Sequence, residues 1–271
     1  MFSYLYLALS FIFSIWIMLD IGFYTKPYGI VLLFGWIALL YLICFVLHIV
    51  VFALFGLTIN LKRLPANIDN IYRKIGFDTL KVFLDTLHIH VHVTGMELVP
   101  EGKFMLVSNH RSCFDPMVQL LLFKKQKLAF VSKQENMQIP FVGRYMAAIG
   151  CISLNRENTK EALKSINLAA EYITSGKANI GIYPEGWVNK SDAPLLPFRN
   201  GAFRIAKKAE APILVTTIRG TEQVKRRFIF RRTHVYVNIL GIIPAEELKR
   251  MKTAELGKRV EKMMYEDLKN K

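Results

Sequence analysis

Two apolar stretches open the chain. Residues 2–19 are mostly apolar and uncharged, and no charged side chain occurs from residue 27 to residue 61. About 20 apolar residues cross a bilayer as a helix, so the second stretch is long enough even when tilted. The first is near the minimum, and Asp20 limits it. The second stretch is too long for a single core helix of a globular domain. A cleaved signal peptide fits poorly, because no basic region precedes the first stretch. Two arrangements remain open. The pair spans the bilayer as a hairpin, or it lies in one leaflet with Tyr4, Tyr6, Trp16, Tyr24, Tyr28 and Trp36 at the interface.

Beyond residue 61 the pattern changes. "NIYRKIGFDTLKVFLDTL" has apolar residues at helical spacing and predicts an amphipathic helix that bridges to the rest of the chain. In "LHIHVHVTG" Ile89, Val91 and Val93 alternate with His88, His90 and His92, which predicts a strand with one polar face. Two of those imidazoles are close enough in spacing to share an ion, but no nearby carboxylate pattern completes a metal site.

From residue 100 strands and helices alternate. "GKFMLVS", "KLAFVSK", "CISLNR", "ANIGIYP", "PILVTTI" and "THVYVNIL" read as strands. "PMVQLLLF", "PFVGRYMAAIG" and "NGAFRIAKKA" read as helices between them. "NTKEALKSINLAAEYITSG" carries its own punctuation, with Asn158 as N-cap, Glu161 three residues on and Gly176 as the stop. A charged helical tail begins near Ala245. The expected fold is α/β, a mostly parallel sheet flanked by helices and preceded by a two-helix hydrophobic membrane segment. The expected division is a membrane-anchoring hairpin at 1–61, the bridging helix at 62–86 and a catalytic domain at 87–271.

Charge is distributed as unevenly as hydrophobicity. All but one of the 36 Lys and Arg, and all but one of the 21 Asp and Glu, lie from Lys62 onward, so the net +15 belongs to the C-terminal part. Such a balance suits a polyanionic partner. Beside an apolar anchor, anionic membrane phospholipids fit better than nucleic acid, for which no binding motif appears. "VKRRFIFRR", residues 224–232, is read either as a contact with headgroups or as a solvated hairpin. Lys62 and Arg63 follow the second stretch, so the positive-inside tendency puts the basic domain on the cytoplasmic face of the cell membrane. Cys44, Cys113 and Cys151 show no metal or disulfide spacing and fit free thiols in a reducing compartment.

The candidate chemistry lies in "SNHRSCFDPM", residues 108–117, where a strand ends and a helix begins. Asp115 and Pro116 form a helix-start signal, with Asp115 suited to the N-cap. The turn also allows His110 to fold back beside Asp115. A carboxylate on one imidazole nitrogen orients the ring and leaves the other nitrogen free to take a proton. Ser112 or Cys113 as a nucleophile activated by His110 is the alternative, but the flanking glycines of a nucleophile elbow are missing.

Four ordered segments extend this motif. "NHRSCFDP" resembles the N-H-x-x-x-x-D motif of the glycerolipid acyltransferase family. "VSKQENMQIPFVG" is similar to the family segment that follows, through Lys133, Glu135, Ile139, Pro140 and Gly143, and "GCISLNR" resembles the second motif, ending in Arg156. "YPEGWVN" resembles the third motif, Phe-Pro-Glu-Gly-Thr-Arg-Ser, through Pro184, Glu185 and Gly186. "FRNGAFRIAKKAEAPI" is similar to the approach to the fourth. Two departures stand out: Trp187, Val188 and Asn189 replace Thr-Arg-Ser, and Val215 replaces the fourth motif's second Pro.

The resemblance implies transfer of a fatty acyl group from an acyl thioester to the sn-2 hydroxyl of lysophosphatidate. The donor would be carried by acyl carrier protein or coenzyme A, with no further cofactor and no metal. It implies His110 as base and Asp115 as its orienting acid. Substrate binding would fall to Asn109, Lys133, Arg156, Glu185, Gly186 and Arg199. The family's Arg at position 188 is linked to the acceptor's phosphate, so Val188 leaves another lysophospholipid acceptor open. A thioesterase using His110 to activate water would share the site.

Overall fold

The computed structural model describes residues 2–62, 64, 67–226 and 231–269, with side chains from residue 5 onward except residue 23. Arg63, the side chain of Tyr4 and residues 227–230 of the basic run lie outside this description. The apolar stretches form helices α1 (Phe2–Ile21) and α2 (Gly29–Thr58), packed together as a hairpin. Only α2 is long and apolar enough to cross a membrane among the described residues. At 1.5 Å per residue its 30 residues span about 45 Å. Their outward side chains, such as Trp16, Ile30, Val31 and Phe34, are exposed and apolar. A helix apolar all round that is not buried by its own chain needs another apolar medium around it.

Helix α3 (Ile71–Thr86) forms only the later part of the expected bridge at 62–86, because Asn70 caps its start by accepting from the Arg73 N–H at 3.0 Å. It packs under the hairpin. The Tyr6 hydroxyl meets His48 Nδ1 at 2.6 Å, and His48 Nε2 meets the Thr79 hydroxyl at 3.0 Å. A half-buried polar chain of this kind helps fix which faces of the three helices meet.

The rest builds one seven-stranded sheet in the order β1-β7-β6-β2-β5-β3-β4. Strands β2 (Met105–Ser108), β3 (Leu128–Lys133), β4 (Ile152–Leu154), β5 (Asn179–Ile182) and β6 (Ile213–Arg219) are mutually parallel. Strand β7 (Thr233–Ile243) runs antiparallel to β6, and β1 (Ile89–Thr94) runs parallel to β7 at the edge. The central strands are buried on both faces: Met105, Leu106, Val107, Ile213, Leu214 and Val215 are all fully enclosed. That is why they read as unbroken apolar runs rather than alternating ones. Edge strand β1 does alternate, and His90 and His92 stack with His234 and Tyr236 on its outer face.

Helices α4 (Asp115–Leu122), α5 (Val142–Ala148), α6 (Thr159–Thr174) and α7 (Arg204–Ala209) connect the parallel strands. The Asn158 carboxamide caps α6 by accepting from the N–H groups of Lys160 and Glu161, as its spacing predicts. The charged tail forms α8 (Ala245–Arg250) and α9 (Thr253–Lys269). The latter buries Leu256, Val260 and Met264 against the sheet, and Asp267 accepts from Thr217 at 2.6 Å and Asn238 at 3.0 Å.

Helix α5 joins the hairpin to this domain. A helix leaves its last carbonyls without partners. Arg144 supplies them at the end of α2, donating to Ile59 O at 2.9 Å and Leu57 O at 3.4 Å. Next to it Tyr145 stacks on Phe52 at 4.1 Å and donates its hydroxyl to Phe52 O at 2.8 Å. The ring fits because Gly56 and Gly76 flank it: a Cβ at either would stand 3.1 or 3.3 Å from it.

Candidate active site

Strand β2 delivers the motif to the carboxyl edge of the sheet, where open α/β sheets place their sites. His110 Nδ1 lies 2.8 Å from Asp115 Oδ2. The carboxylate is fully buried, while the imidazole remains 17% exposed. Oδ2 also accepts from the N–H groups of Arg111 at 2.6 Å and Ser112 at 2.8 Å, and Oδ1 accepts from the Thr221 hydroxyl. With Asp115 accepting every one of these bonds, the shared proton sits on Nδ1, and Nε2 is left with a lone pair. Asp115 is not the N-cap that its position before Pro116 suggests. The helix already starts at Asp115, and its carboxylate turns back over the loop instead of forward onto the first turn.

The ring plane is fixed as firmly as its edge. Tyr183 stacks on His110 with centroids 4.2 Å apart and an interplanar angle of 12°. Phe130 stacks behind Tyr183 at 5.2 Å. Gly181 makes room for Phe130, since a Cβ there would stand 2.4 Å from the ring. Gln119 accepts from the Tyr183 hydroxyl at 2.8 Å and donates to Ser108 at 2.9 Å. Burial pushes the Tyr183 phenol well above its ordinary range, so it stays a neutral donor. The sequence reading passed over Tyr183, although an aromatic just before Pro-Glu-Gly at a strand end was a signal for it.

Two expected substrate contacts turn out to be braces. Asn109 is fully buried, and its carboxamide donates to Ile218 O at 2.8 Å and accepts from Ile218 N–H at 2.7 Å. It ties the motif loop to β6, leaving no polar edge for a substrate. Glu185, 2% exposed, accepts from His110 N–H at 2.7 Å with one oxygen and from Leu196 N–H at 2.8 Å with the other. Burial raises its carboxyl above the usual carboxylate range, and the two N–H donors oppose that shift. Asn189 adds a third tie, its N–H donating to His110 O at 2.7 Å. Arg111 donates to Ser191 O at 3.2 Å and Ala193 O at 3.3 Å. The strap from Glu185 to Leu196 thus clasps the loop that carries His110.

Lys133, Arg156, Gly186 and Arg199 do converge. All line the cleft of about 960 Å³ that also contains His110, Trp187 and Val188. The Arg156 guanidinium lies 5.0 Å from the Trp187 ring centroid and the Lys133 ammonium 5.7 Å from it. Lys133 also meets Glu135 at 2.8 Å. Gly186, at φ 79°, lets Arg199 pass close by: a Cβ would stand 3.0 Å from Arg199 Nε. Burial lowers the Arg156 guanidinium from its ordinary value, and neighbouring Arg199 adds to the effect. Among the described lining residues these three cations are joined by no carboxylate. Away from them the cleft is apolar, walled by Phe45, Ile49 and Phe52 of α2 and Phe77 and Leu80 of α3. Ser112 is buried with its hydroxyl accepting from Phe114 N–H at 3.4 Å, so it does not face the cleft as a nucleophile. Cys113 is exposed and does line it.

A family model described as Acyltransferase matches residues 90–219, the span that holds His110, Asp115, Lys133, Arg156, Glu185 and Arg199. The 1-acyl-sn-glycerol-3-phosphate acyltransferase of Saccharomyces cerevisiae is 28% identical over 186 residues, 68% of this chain and 61% of that protein. A chloroplastic 1-acyl-sn-glycerol-3-phosphate acyltransferase of Brassica napus is 32% identical over 134 residues, 49% of this chain and 38% of that one. The chain therefore spans less than two thirds of the length of either relative. The crystal structure of the 1-acyl-sn-glycerophosphate (LPA) acyltransferase PlsC from Thermotoga maritima is similar with a TM-score of 0.58 and 25% identity. The match covers 73% of this chain and 80% of that one. Matched in sequence across the span that carries the dyad, and in backbone across most of its length, the chain holds an acyltransferase domain at residues 90–219 that is similar to those of 1-acyl-sn-glycerol-3-phosphate acyltransferases.

Proposed function

We propose that the protein moves a fatty acyl group from a thioester to the sn-2 hydroxyl of lysophosphatidate, forming phosphatidate. One observation carries this function: a His–Asp dyad with a free imidazole nitrogen opens onto a cleft that is cationic near Trp187 and apolar elsewhere. The cations suit a phosphate, and the apolar walls suit acyl chains. The relatives' names point to the same acceptor.

In this mechanism His110 Nε2 takes the proton of the sn-2 hydroxyl as its oxygen attacks the thioester carbonyl. Asp115 holds the ring and stabilises the imidazolium that forms. The tetrahedral intermediate collapses, the C–S bond breaks, and the imidazolium returns the proton to the departing thiolate. Backbone N–H groups of the loop are the expected oxyanion donors, but those of Arg111 and Ser112 are engaged by Asp115, so the donor lies elsewhere. Lys133, Arg156 and Arg199 receive the phosphate. The acyl thioester is the co-substrate of this reaction. Its carrier is either acyl carrier protein or coenzyme A. The hairpin seats the enzyme in the cell membrane with the basic domain on the cytoplasmic face, the side its cations favour.

Purified protein in vesicles, given each labelled acyl thioester and a panel of lysolipids, tests this by product mass. Phosphatidate is expected. Acyl release as free acid, at a rate no acceptor increases, would replace the proposal with a thioesterase.

A further inference from the structure

The third motif departs from its family at three neighbouring positions, and the structure gives each a different setting. Asn189 is buried in the strap, Val188 lines the cleft, and Trp187 stands half exposed among the cations. A Trp face attracts an ammonium or guanidinium placed within about 6 Å of its centroid. Arg156 at 5.0 Å and Lys133 at 5.7 Å both meet that condition. Glu135, outside the cleft lining, pairs with Lys133 at 2.8 Å, while Arg156 meets no acidic side chain of the lining among the described residues. Long, rotamer-rich side chains lose less entropy on binding when a rigid ring already restricts them.

Building on the acyl-transfer reading, we propose that Trp187 is a specificity-determining residue. It holds Arg156 and Lys133 in place for a phosphate monoester and keeps out headgroups capped by an amine. It compensates for the missing Arg at Val188 by ordering cations already present. A phosphate monoester carries close to two negative charges at neutral pH and matches a site rich in cations. A choline-capped phosphodiester brings one negative charge and one quaternary ammonium. That ammonium would enter the field of three cations, and the indole that could receive it is already engaged by two of them.

The test measures kcat and KM separately for wild type, Trp187→Ala and Trp187→Phe. Lysophosphatidate and lysophosphatidylcholine of one acyl chain serve as acceptors in vesicles of zwitterionic diacyl lipid. Wild type is expected to prefer lysophosphatidate at least about tenfold in kcat/KM. Trp187→Ala should raise KM for lysophosphatidate roughly tenfold with kcat within about threefold, and narrow the preference between acceptors. Trp187→Phe should recover most of both, because a phenyl face still restrains the cations. An unchanged KM in an active Trp187→Ala variant overturns the role of Trp187 alone, and a wild type that prefers the choline lipid overturns the lysophosphatidate assignment with it while leaving acyl transfer standing. A wild type that acylates no lysolipid overturns the acyl-transfer reading as well.

Discussion

Replacing Glu185 by Gln separates bracing from substrate binding. The carboxylate receives two backbone N–H groups, from His110 at 2.7 Å and Leu196 at 2.8 Å, in a site 2% exposed. Glutamine keeps the volume but offers one accepting oxygen and one NH2 group. Whichever way the carboxamide turns, an N–H donor faces another donor. A buried donor left unpaired costs about 1–3 kcal/mol. Taking the middle of that range, the melting temperature in detergent should fall by roughly 4–8 °C for a chain of this size. The His110 backbone is one of the two anchors, so the imidazole shifts with it. A misplacement of order 1 Å costs about a hundredfold in rate. The expected result is a kcat lowered roughly 10- to 100-fold, with KM for lysophosphatidate unchanged. Steady-state kinetics over a range of acceptor mole fractions, beside a thermal melt, reads both. A KM raised about tenfold with kcat and melting temperature preserved would refute the bracing role and restore Glu185 as a substrate contact.

His110→Ala should lower kcat by at least about a hundredfold, the scale of general-base catalysis, while the melt stays near wild type. Asp115→Asn should lose somewhat less activity, since the ring remains stacked on Tyr183, but it should melt earlier, because a carboxamide cannot accept all four bonds. Burial pushes the Cys151 thiol up to about 11, so at pH 8 it is almost wholly protonated and should resist maleimide until the protein unfolds. Exposed Cys113 should label readily, which peptide mapping checks. Cys113→Ala should keep substantial activity, and an acyl group trapped on Cys113 would overturn direct attack. A cysteine introduced at Lys190 should stay unlabelled by an impermeant reagent outside intact cells.

Local signals in the sequence carried far, and distant pairings did not. The Asn158 cap, the bridging helix and the apolar central strands need only neighbours within a turn or a strand, so their patterns announce them. The His110–Asp115 pair spans five residues and was legible from the turn between them. Asn109 and Glu185 were taken for substrate contacts because their partners lie elsewhere in the chain: Ile218 is 109 residues from Asn109, and His110 is 75 residues from Glu185. Tyr183 stays hidden for the same reason, since its stacking on His110 exists only once β5 lies beside β2. The reversal of β7 was also illegible. A basic run between two strands permits either direction, and burial of α9 across β6 and β7 appears only in three dimensions.

Helix α2 belongs to two structures at once. Its outward face is the apolar surface of the hairpin, while Phe45, Ile49 and Phe52 wall the cleft that holds His110. On the proposed membrane seat, this helix is part of the wall between the reaction chamber and lipid. A two-tailed product and a one-tailed acceptor could then exchange sideways, with their chains passing from bilayer to cleft without crossing water. Turnover would follow the acceptor's mole fraction in the leaflet, not its amount per volume. Diluting vesicles at fixed composition should leave the rate per enzyme unchanged, while diluting the lysolipid within them should lower it.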